Sequence, residues 1–238
     1  MKNLANHPTQ SFSQVTGVFT DIDDTLTTDG AITSDALEAL GKLKAAGLHV
    51  VAITGRPVGW SEPFAGSWPV DAIVAENGAV ALQPLPGQRL VKRYQQDETT
   101  RQRNYARMQE VLAQIEREVP GARRATDSPG RETDIAIDHS EFTHLPQQGI
   151  DEAVRIMRAA GMNATVSSIH INGWFGAHNK LEGARWIVRE LWGRDLDAAM
   201  DRRVYVGYST NDQSLFQHFA HSVGVANAAR FVPPSQHL

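Results

Sequence analysis

Three carboxylates follow directly on a short apolar run near the start of the chain, where residues 18–26 read VFTDIDDTL. The apolar part has the character of a buried strand, and a charged cluster cannot continue into such a core without partners. The strand is therefore predicted to end at Asp21, with Asp23 and Asp24 just beyond it. Open α/β sheets place their ligands at this end of their strands. Crowded carboxylates repel one another, so the pattern favours a hard cation such as Mg²⁺ bound by oxygen ligands.

Two other interpretations of the acidic cluster were weighed. One is an acidic turn without chemistry, which the further motifs below make the less favoured interpretation. The other is a calcium loop of the EF-hand type, which needs Gly at its sixth position and Glu at its twelfth. Counted from Asp21, those positions hold Leu26 and Ile32, so the EF-hand interpretation is rejected.

Three more polar loops are predicted at strand ends or helix starts, at residues 54–56, 178–180 and 207–212. In a parallel sheet these ends share one edge, so residues remote in sequence can converge there. The loops would bring a hydroxyl, an ammonium and a carboxamide–carboxylate pair to the acidic cluster. That set of groups suits phosphoryl transfer, in which positioning and charge stabilisation do most of the work.

The elements around these loops change character along the chain. The first third alternates helix and near-continuous apolar strand, with a helix at Ser34–Ala46 and strands at residues 49–53 and 71–75, which is typical of a parallel sheet covered on both faces. The middle third predicts a long amphipathic helix, a half-buried strand at residues 133–138, a second helix and a strand at residues 165–172. The last third returns to the first pattern.

The predicted fold class is therefore α/β, with a doubly wound, mainly parallel sheet and an inserted α+β module, which we call the cap. The predicted boundaries give residues 1–83 as the first part of the core, 84–173 as the cap and 174–238 as the second part of the core. Pro84, Pro86 and Gly87 mark the first of these boundaries.

Composition narrows the function classes. The chain has 238 residues, no cysteine and a formal net charge of −4, which argues against a disulfide framework and against general binding of nucleic acid. No apolar run approaches the length of a membrane span, so no membrane partner is expected. We expect a cytoplasmic protein, and the sequence leaves the oligomeric state open.

The motifs resemble those of the haloacid dehalogenase-like (HAD) phosphohydrolase superfamily. Its D-x-D-x-T-L signature matches Asp21, Asp23, Thr25 and Leu26, and its second and third motifs match Thr54 and Lys180. The large insertion between those two motifs resembles the subgroup with an α+β cap there. That subgroup includes sucrose-phosphate, trehalose-phosphate and mannosyl-phosphoglycerate phosphatases, and phosphomannomutases. Residues 54–57 (TGRP) and 76–79 (ENGA) look like its secondary signatures.

The resemblance implies catalytic roles for four residues. Asp21 would attack phosphorus and form an aspartyl-phosphate. Asp23 would protonate the leaving alkoxide and then activate the hydrolytic water. Thr54 would hold phosphoryl oxygens, and Lys180 would balance the charge of Asp21 and the phosphoryl group. Mg²⁺ would be held by Asp21, the Asp23 carbonyl and the last loop, represented by Asn211 and Asp212.

The last loop departs from the family pattern, because Tyr208 stands where the subgroup usually has a carboxylate. A neutral phenol is a poor ligand for Mg²⁺. The function implied is a Mg²⁺-dependent phosphatase acting on a small phosphorylated metabolite, with a phosphosugar expected. Two alternatives stay open: a phosphomutase of the same superfamily, and a catalytically weak or inactive relative that binds phosphorylated ligands.

Substrate contacts are predicted from loop and strand positions. Core loops offer candidates beside the catalytic groups. The cap strands offer polar side chains on one shared face, which could form hydrogen bonds with sugar hydroxyls if that face closes over the site. The alternatives are a role in tying loops together for Arg56, bracing of the catalytic loop or a plain turn role for Asn77, and a solvated outer face for the cap strands. The candidates are Thr54, Gly55, Arg56, Asn77, His170 and Asn172.

Overall fold

Two sheets organise the protein in a computed structural model that describes residue 4, residues 12–87 and residues 89–226. The strands of the described chain are β1 (Gly17–Thr20), β2 (Thr27–Thr28), β3 (Ala31–Ile32), β4 (His49–Ile53), β5 (Ala72–Ala75), β6 (Val80–Leu85), β7 (Arg89–Tyr94), β8 (Arg123–Arg124), β9 (Ile135–Asp138), β10 (Asn163–Val166), β11 (His170–Trp174), β12 (Arg203–Gly207) and β13 (His221–Gly224). The helices are α1 (Ser34–Ala45), α2 (Val58–Ala65), α3 (Glu98–Glu118), α4 (Gln147–Ala159), α5 (Lys180–Trp192) and α6 (Gln213–His218).

The core is a seven-stranded sheet in the order β13-β12-β1-β4-β5-β6-β7. The first five strands in that order are mutually parallel, and β6 and β7 are antiparallel additions at one side. Strand β1 lies in the middle, with Val18 paired to both Val204 and Val50. The prediction of a mainly parallel α/β sheet is confirmed.

Alternate residues of the central strands pack on opposite faces of the sheet. Val51 and Ile53 of β4 join the cluster that includes α5, whereas Val50 and Ala52 join the cluster that includes Leu40 of α1. Each face therefore needs apolar residues, which is why the central strands read as continuous apolar runs. Leu37 of α1, by contrast, is 38% exposed.

The cap is a four-stranded antiparallel sheet in the order β10-β11-β9-β8. Helices α3 and α4 cover one face of this sheet with an apolar cluster that includes Met108, Ile115 and Met157. The opposite face carries polar side chains and lies over the carboxyl ends of the core strands, where Asp134, Asp138 and other polar residues are buried. The expectation of a half-buried strand at residues 133–138 was therefore wrong, because the core covers the polar face.

The first predicted domain boundary, at residue 84, falls inside the core sheet and is corrected. Strands β6 and β7 form a hairpin within that sheet, so the cap begins only after Tyr94. Proline is tolerated at position 84 because β5 pairs with β6 only as far as Leu82. The second boundary, at residue 173, falls within β11, and the core resumes at α5.

The single strand predicted at residues 165–172 is two strands, β10 and β11, joined by a turn at residues 167–169. The Ser167 amide donates to the carbonyl of His170, and the Ser167 hydroxyl accepts from the His170 amide at 3.0 Å. These local bonds reverse the chain, so β10 and β11 pair with each other as a hairpin.

None of the described helices is both long enough and apolar enough to cross a bilayer.

Candidate active site

Two buried carboxylates share one buried ammonium at the carboxyl edge of the core sheet. Asp21 directly follows β1, Lys180 begins α5, and Asp212 lies in the loop after β12. Lys180 Nζ donates to Asp21 Oδ1 and to Asp212 Oδ1, each at 2.7 Å. All three residues are buried. The side chain of Asn179 caps α5 by accepting from the Glu182 amide, which fixes where Lys180 enters the site.

The negative charges in this group outnumber the positive ones, because two carboxylates face one ammonium. Burial raises the pKa of Asp21 to about 7, Lys180 works against that shift and Asp212 reinforces it. Burial also acts on Asp212, but Lys180 lowers its pKa below the usual value. For Lys180, burial opposes the charged form, and the two carboxylates together raise its pKa. An added cation near Asp21 would therefore favour its ionised, nucleophilic form.

Asp23 and Thr54 lie beside each other. The Thr54 hydroxyl donates weakly to Asp23 Oδ2 at 3.5 Å and accepts from the Arg56 amide at 3.0 Å. Arg56 Nε donates to Asp23 Oδ1 at 2.9 Å. The loop after β4 thus holds the side chain of Asp23 through both a hydroxyl and a guanidinium.

The last loop is tied to the acidic cluster through Tyr208. Its hydroxyl donates to Asp24 Oδ2 at 3.0 Å. Burial raises the pKa of Tyr208, while a hydrogen bond with the side chain of Ser168 in the cap lowers it in part. The backbone amides of Tyr208 and Ser209 donate to Asp212 Oδ2 at 3.1 and 3.0 Å. Tyr208 therefore contacts both the core and the cap as a neutral phenol.

The site offers fewer carboxylate ligands for a divalent ion than a site built on three acidic side chains. Within the described residues, no cluster of three or more acidic, histidine or cysteine side chains is arranged to hold a metal. Both oxygens of Asp212 are hydrogen-bonded, and Asn211 Oδ1 accepts from Ser209 Oγ. From the described part of the chain, Asp21 Oδ2 accepts only a long hydrogen bond from the Thr25 hydroxyl at 3.3 Å. This set fits Mg²⁺, which protein sites commonly bind with one or two carboxylates plus substrate phosphate and water.

A cleft lies between these core groups and the cap. Asp21, Asp23 and Arg56 line it from the core, and the turn at residues 167–169 lines it from the cap together with His170 and Asn172. The solvated-face alternative for these two cap residues was wrong, because His170 and Asn172 are 2% and 1% exposed.

The predicted substrate-binding residues already have partners within the protein. His170 Nε2 pairs with Glu141 at 2.9 Å, and Asn172 Nδ2 donates to Asp134 at 3.0 Å. Asn77, from the core, donates to the same oxygen of Asp134 at 3.4 Å. These side chains line the cleft or brace it, and their contact with substrate stays a prediction.

Sequence reasoning missed the groups that fix the cap to the core. Glu76 is buried and accepts hydrogen bonds from the Val58 amide, the Glu132 amide, and the amide and hydroxyl of Thr133. Arg131 pairs with Asp134 at 2.8 Å and donates to the Gly55 carbonyl at 3.1 Å. Neither role has a local signal in sequence beyond the ENGA segment, because each depends on the docking of two distant segments.

The sequence profile of the haloacid dehalogenase-like hydrolases matches residues 18–119, which include Asp21 and Thr54. This match to part of the chain confirms the expected resemblance to that hydrolase family. No curated protein sequence matches the chain.

Solved structures with the same fold have low sequence identity to this chain. Protein 0175 of Thermoplasma acidophilum has a TM-score of 0.70 and 16% identity, over 90% of this chain and 86% of its own. The sucrose-phosphatase of Synechocystis, solved with sucrose and phosphate, has a TM-score of 0.63 and 18% identity, over 90% and 84%. The C-terminal domain of trehalose-6-phosphate phosphatase from C. albicans has a TM-score of 0.63 and 14% identity, over 87% and 75%.

Proposed function

We propose that this protein is a Mg²⁺-dependent phosphatase that hydrolyses a small phosphorylated metabolite through an aspartyl-phosphate on Asp21. The observation that carries the proposal is the placement of Lys180 Nζ at 2.7 Å from both Asp21 and Asp212 at the carboxyl edge of the sheet. An ammonium fixed between two carboxylates can offset the charge of a phosphoryl group transferred to one of them.

The reaction has two displacement steps. In the first, an Asp21 carboxylate oxygen bonds to phosphorus, the bond from phosphorus to the substrate oxygen breaks, and Asp23 supplies the proton to that oxygen. In the second, Asp23 takes a proton from water, the water oxygen bonds to phosphorus, and the bond to Asp21 breaks to release phosphate. One carboxyl group thus serves as acid and then as base.

The surrounding residues position these groups. Thr54 is fully buried and points its hydroxyl toward Asp23, where it can also donate to a phosphoryl oxygen. Asp21, the Asp23 carbonyl and the Asn211–Asp212 loop would hold Mg²⁺. When bound, the ion neutralises charge on the phosphoryl oxygens and on Asp21.

The expected substrate is a phosphosugar. The names of the sucrose-phosphate and trehalose-6-phosphate phosphatases with this fold support this class, and the polar cap side of the cleft suits hydroxyl groups. A panel of phosphorylated sugars and polyols, assayed for phosphate release with Mg²⁺, would identify the substrate.

The test of the phosphatase proposal uses 4-nitrophenyl phosphate with and without Mg²⁺. We expect Mg²⁺-dependent release by the wild type and none by Asp21→Asn, which keeps the shape of the side chain but removes the nucleophile. Asp151→Asn is the matched control, because Asp151 is exposed on α4, where its side chain accepts a hydrogen bond from Gln147. Activity that survives in Asp21→Asn would overturn the proposal.

A second candidate is a protein that binds phosphorylated ligands without turnover. The bond between Tyr208 and Asp24 favours it, because it places a phenol in the loop that would otherwise offer a carboxylate. Thermal stabilisation by members of the panel, with no phosphate released, would support this candidate. Interconversion of sugar phosphates without release would instead support a phosphomutase.

A further inference from the structure

The Arg56 guanidinium joins the core to the cap at the edge of the cleft. Its Nε donates to Asp23 Oδ1 at 2.9 Å, its Nη2 to Glu141 Oε1 at 2.9 Å, and its Nη1 to Asp127 Oδ2 at 3.4 Å. Asp23 belongs to the core, whereas Glu141 and Asp127 belong to the cap. One buried cation therefore contacts the proposed proton-transfer group and two cap carboxylates at once.

Glu141 is itself fixed from the cap side. His170 Nε2 lies 2.9 Å from Glu141 Oε2, and the Glu141 amide donates to Asp138 Oδ1 at 2.8 Å. The hydrogen bond with His170, together with Arg56, lowers the pKa of Glu141 to about 2. Glu141 is therefore a rigid, ionised acceptor that the cap presents to the core.

Cap groups supply two of the three hydrogen bonds that orient the Arg56 guanidinium, which also lies 5.2 Å from the ring centroid of Trp60 in the core. An arginine side chain has many rotamers, and holding it in one of them costs conformational entropy. Within the core, the described hydrogen bonds of the guanidinium go only to Asp23. The bonds that hold its other two nitrogens come from the cap, so displacement of the cap removes them.

We propose that Glu141 is a positioning residue: by holding Arg56 against Asp23, it orients the proton-transfer carboxylate only when the cap is seated on the core. This inference rests on the proposed function, because it assigns a support to the group that protonates the leaving oxygen. It also gives His170 a role, as the cap residue that holds Glu141.

The proposal predicts a dependence on the leaving group. An alkoxide leaves only with a proton, whereas 4-nitrophenolate leaves readily without one. A variant that misplaces Asp23 should therefore lose activity toward a sugar phosphate and keep it toward 4-nitrophenyl phosphate. A variant that merely destabilises the cap or the site should lose activity toward both.

The experiment compares Glu141→Gln with the wild type on two substrates, 4-nitrophenyl phosphate and the sugar phosphate that the panel above shows to be turned over fastest. The measured quantity is kcat/KM, which reports the step that forms the aspartyl-phosphate. We expect a fall of at least about tenfold for the sugar phosphate and of less than about twofold for the aryl phosphate.

Glu152→Gln is the matched control, because Glu152 also lies on the cap and pairs with an arginine, Arg155, but on the outer surface. It should change neither rate. Equal losses on both substrates, or no loss on either, in a folded Glu141→Gln protein would overturn the positioning role and leave the phosphatase proposal intact. A wild type that releases phosphate from neither substrate would overturn the phosphatase proposal, and the positioning role with it.

Discussion

Lys180 Nζ lies 2.7 Å from Asp21 Oδ1, although the two residues are 159 positions apart in sequence. Burial of both side chains makes this pair costly to separate, because a lone charge would be left in a site shielded from water. The same ammonium contacts Asp212, so its removal leaves two buried carboxylates facing each other.

Lys180→Met is therefore expected to affect both activity and stability. The rate should fall by roughly 100- to 1000-fold, the usual scale for loss of one fixed charge-stabilising group. The free energy of unfolding should fall by about 3–5 kcal/mol, as for a broken buried ion pair. Phosphate release and chemical denaturation measure the two effects.

The control for this variant is Lys44→Met. Lys44 also pairs with an aspartate, Asp71, at 2.6 Å, but on a partly exposed surface at the other end of the sheet. It should keep full activity and lose no more than about 1 kcal/mol. If Lys180→Met were as active as Lys44→Met, Lys180 would have no part in charge stabilisation.

The sequence was sufficient to predict the convergence of Asp21, Thr54, Lys180 and Asp212. Each follows a strand or begins a helix, and the carboxyl ends of parallel strands must share one edge. The apolar patterns of β1, β4 and α5 are strong. The two strands are covered on both faces, and the helix packs along one apolar stripe.

Contacts between the cap and the core could not be predicted in the same way. Arg56 and Glu141 are 85 positions apart and meet because the cap lies against the core. The prediction of a single strand at residues 165–172 was also wrong. Alternation of polar and apolar residues does not reveal a turn stabilised by the Ser167 side chain. The domain boundary predicted near Pro84 was misplaced because a hairpin at the side of a sheet can have the same proline and glycine content as a linker.

Tyr208→Asp is expected to tighten Mg²⁺ binding by about tenfold or more, because a carboxylate replaces a phenol in a loop that already contacts Asp24. The added negative charge beside Asp21 and Asp24 would also be relieved by the ion. Tyr208→Phe is the control: it removes the hydroxyl without adding a charge and should bind no more tightly than the wild type.

Isothermal titration with MgCl₂ in the absence of substrate measures this change directly. Equal dissociation constants for the wild type and Tyr208→Asp would show that position 208 does not face the metal. The result does not depend on whether the wild type turns over any particular substrate.

Glu76→Gln is expected to loosen the cap. The Glu76 carboxylate accepts hydrogen bonds from four donor groups of Val58, Glu132 and Thr133. A glutamine amide group can accept on only one side, so buried donors would be left unpaired at a cost of about 2–3 kcal/mol. Hydrogen exchange of the Glu132 and Thr133 amides should accelerate while that of the central strands changes little.

Glu38→Gln serves as the control for the Glu76 variant, because Glu38 is an exposed residue on α1 that pairs with Lys42 on the same helix. Its unfolding free energy and exchange pattern should match those of the wild type. Unchanged exchange at residues 132 and 133 in Glu76→Gln would mean that Glu76 does not fasten the cap.

His178 is expected to make the stability of the protein dependent on pH. It lies two positions before Lys180, stacks on Trp174 and is 5% exposed. Its Nε2 has no hydrogen-bond partner in the described structure. Burial lowers its pKa to about 4, from an ordinary value of 6.5, so the native state keeps the ring neutral over a range in which the unfolded chain binds a proton.

The sign follows from the number of protons bound in each state. Between about pH 6.5 and pH 4 the unfolded chain binds more protons than the folded protein, so stability falls as the pH falls through that window. The two pKa values give a loss of about 2 kcal/mol between pH 8 and pH 5. Chemical denaturation of the wild type and His178→Gln at these two pH values measures this loss. The variant should lack that part of the slope, and equal slopes in the two proteins would mean that His178 does not titrate with unfolding.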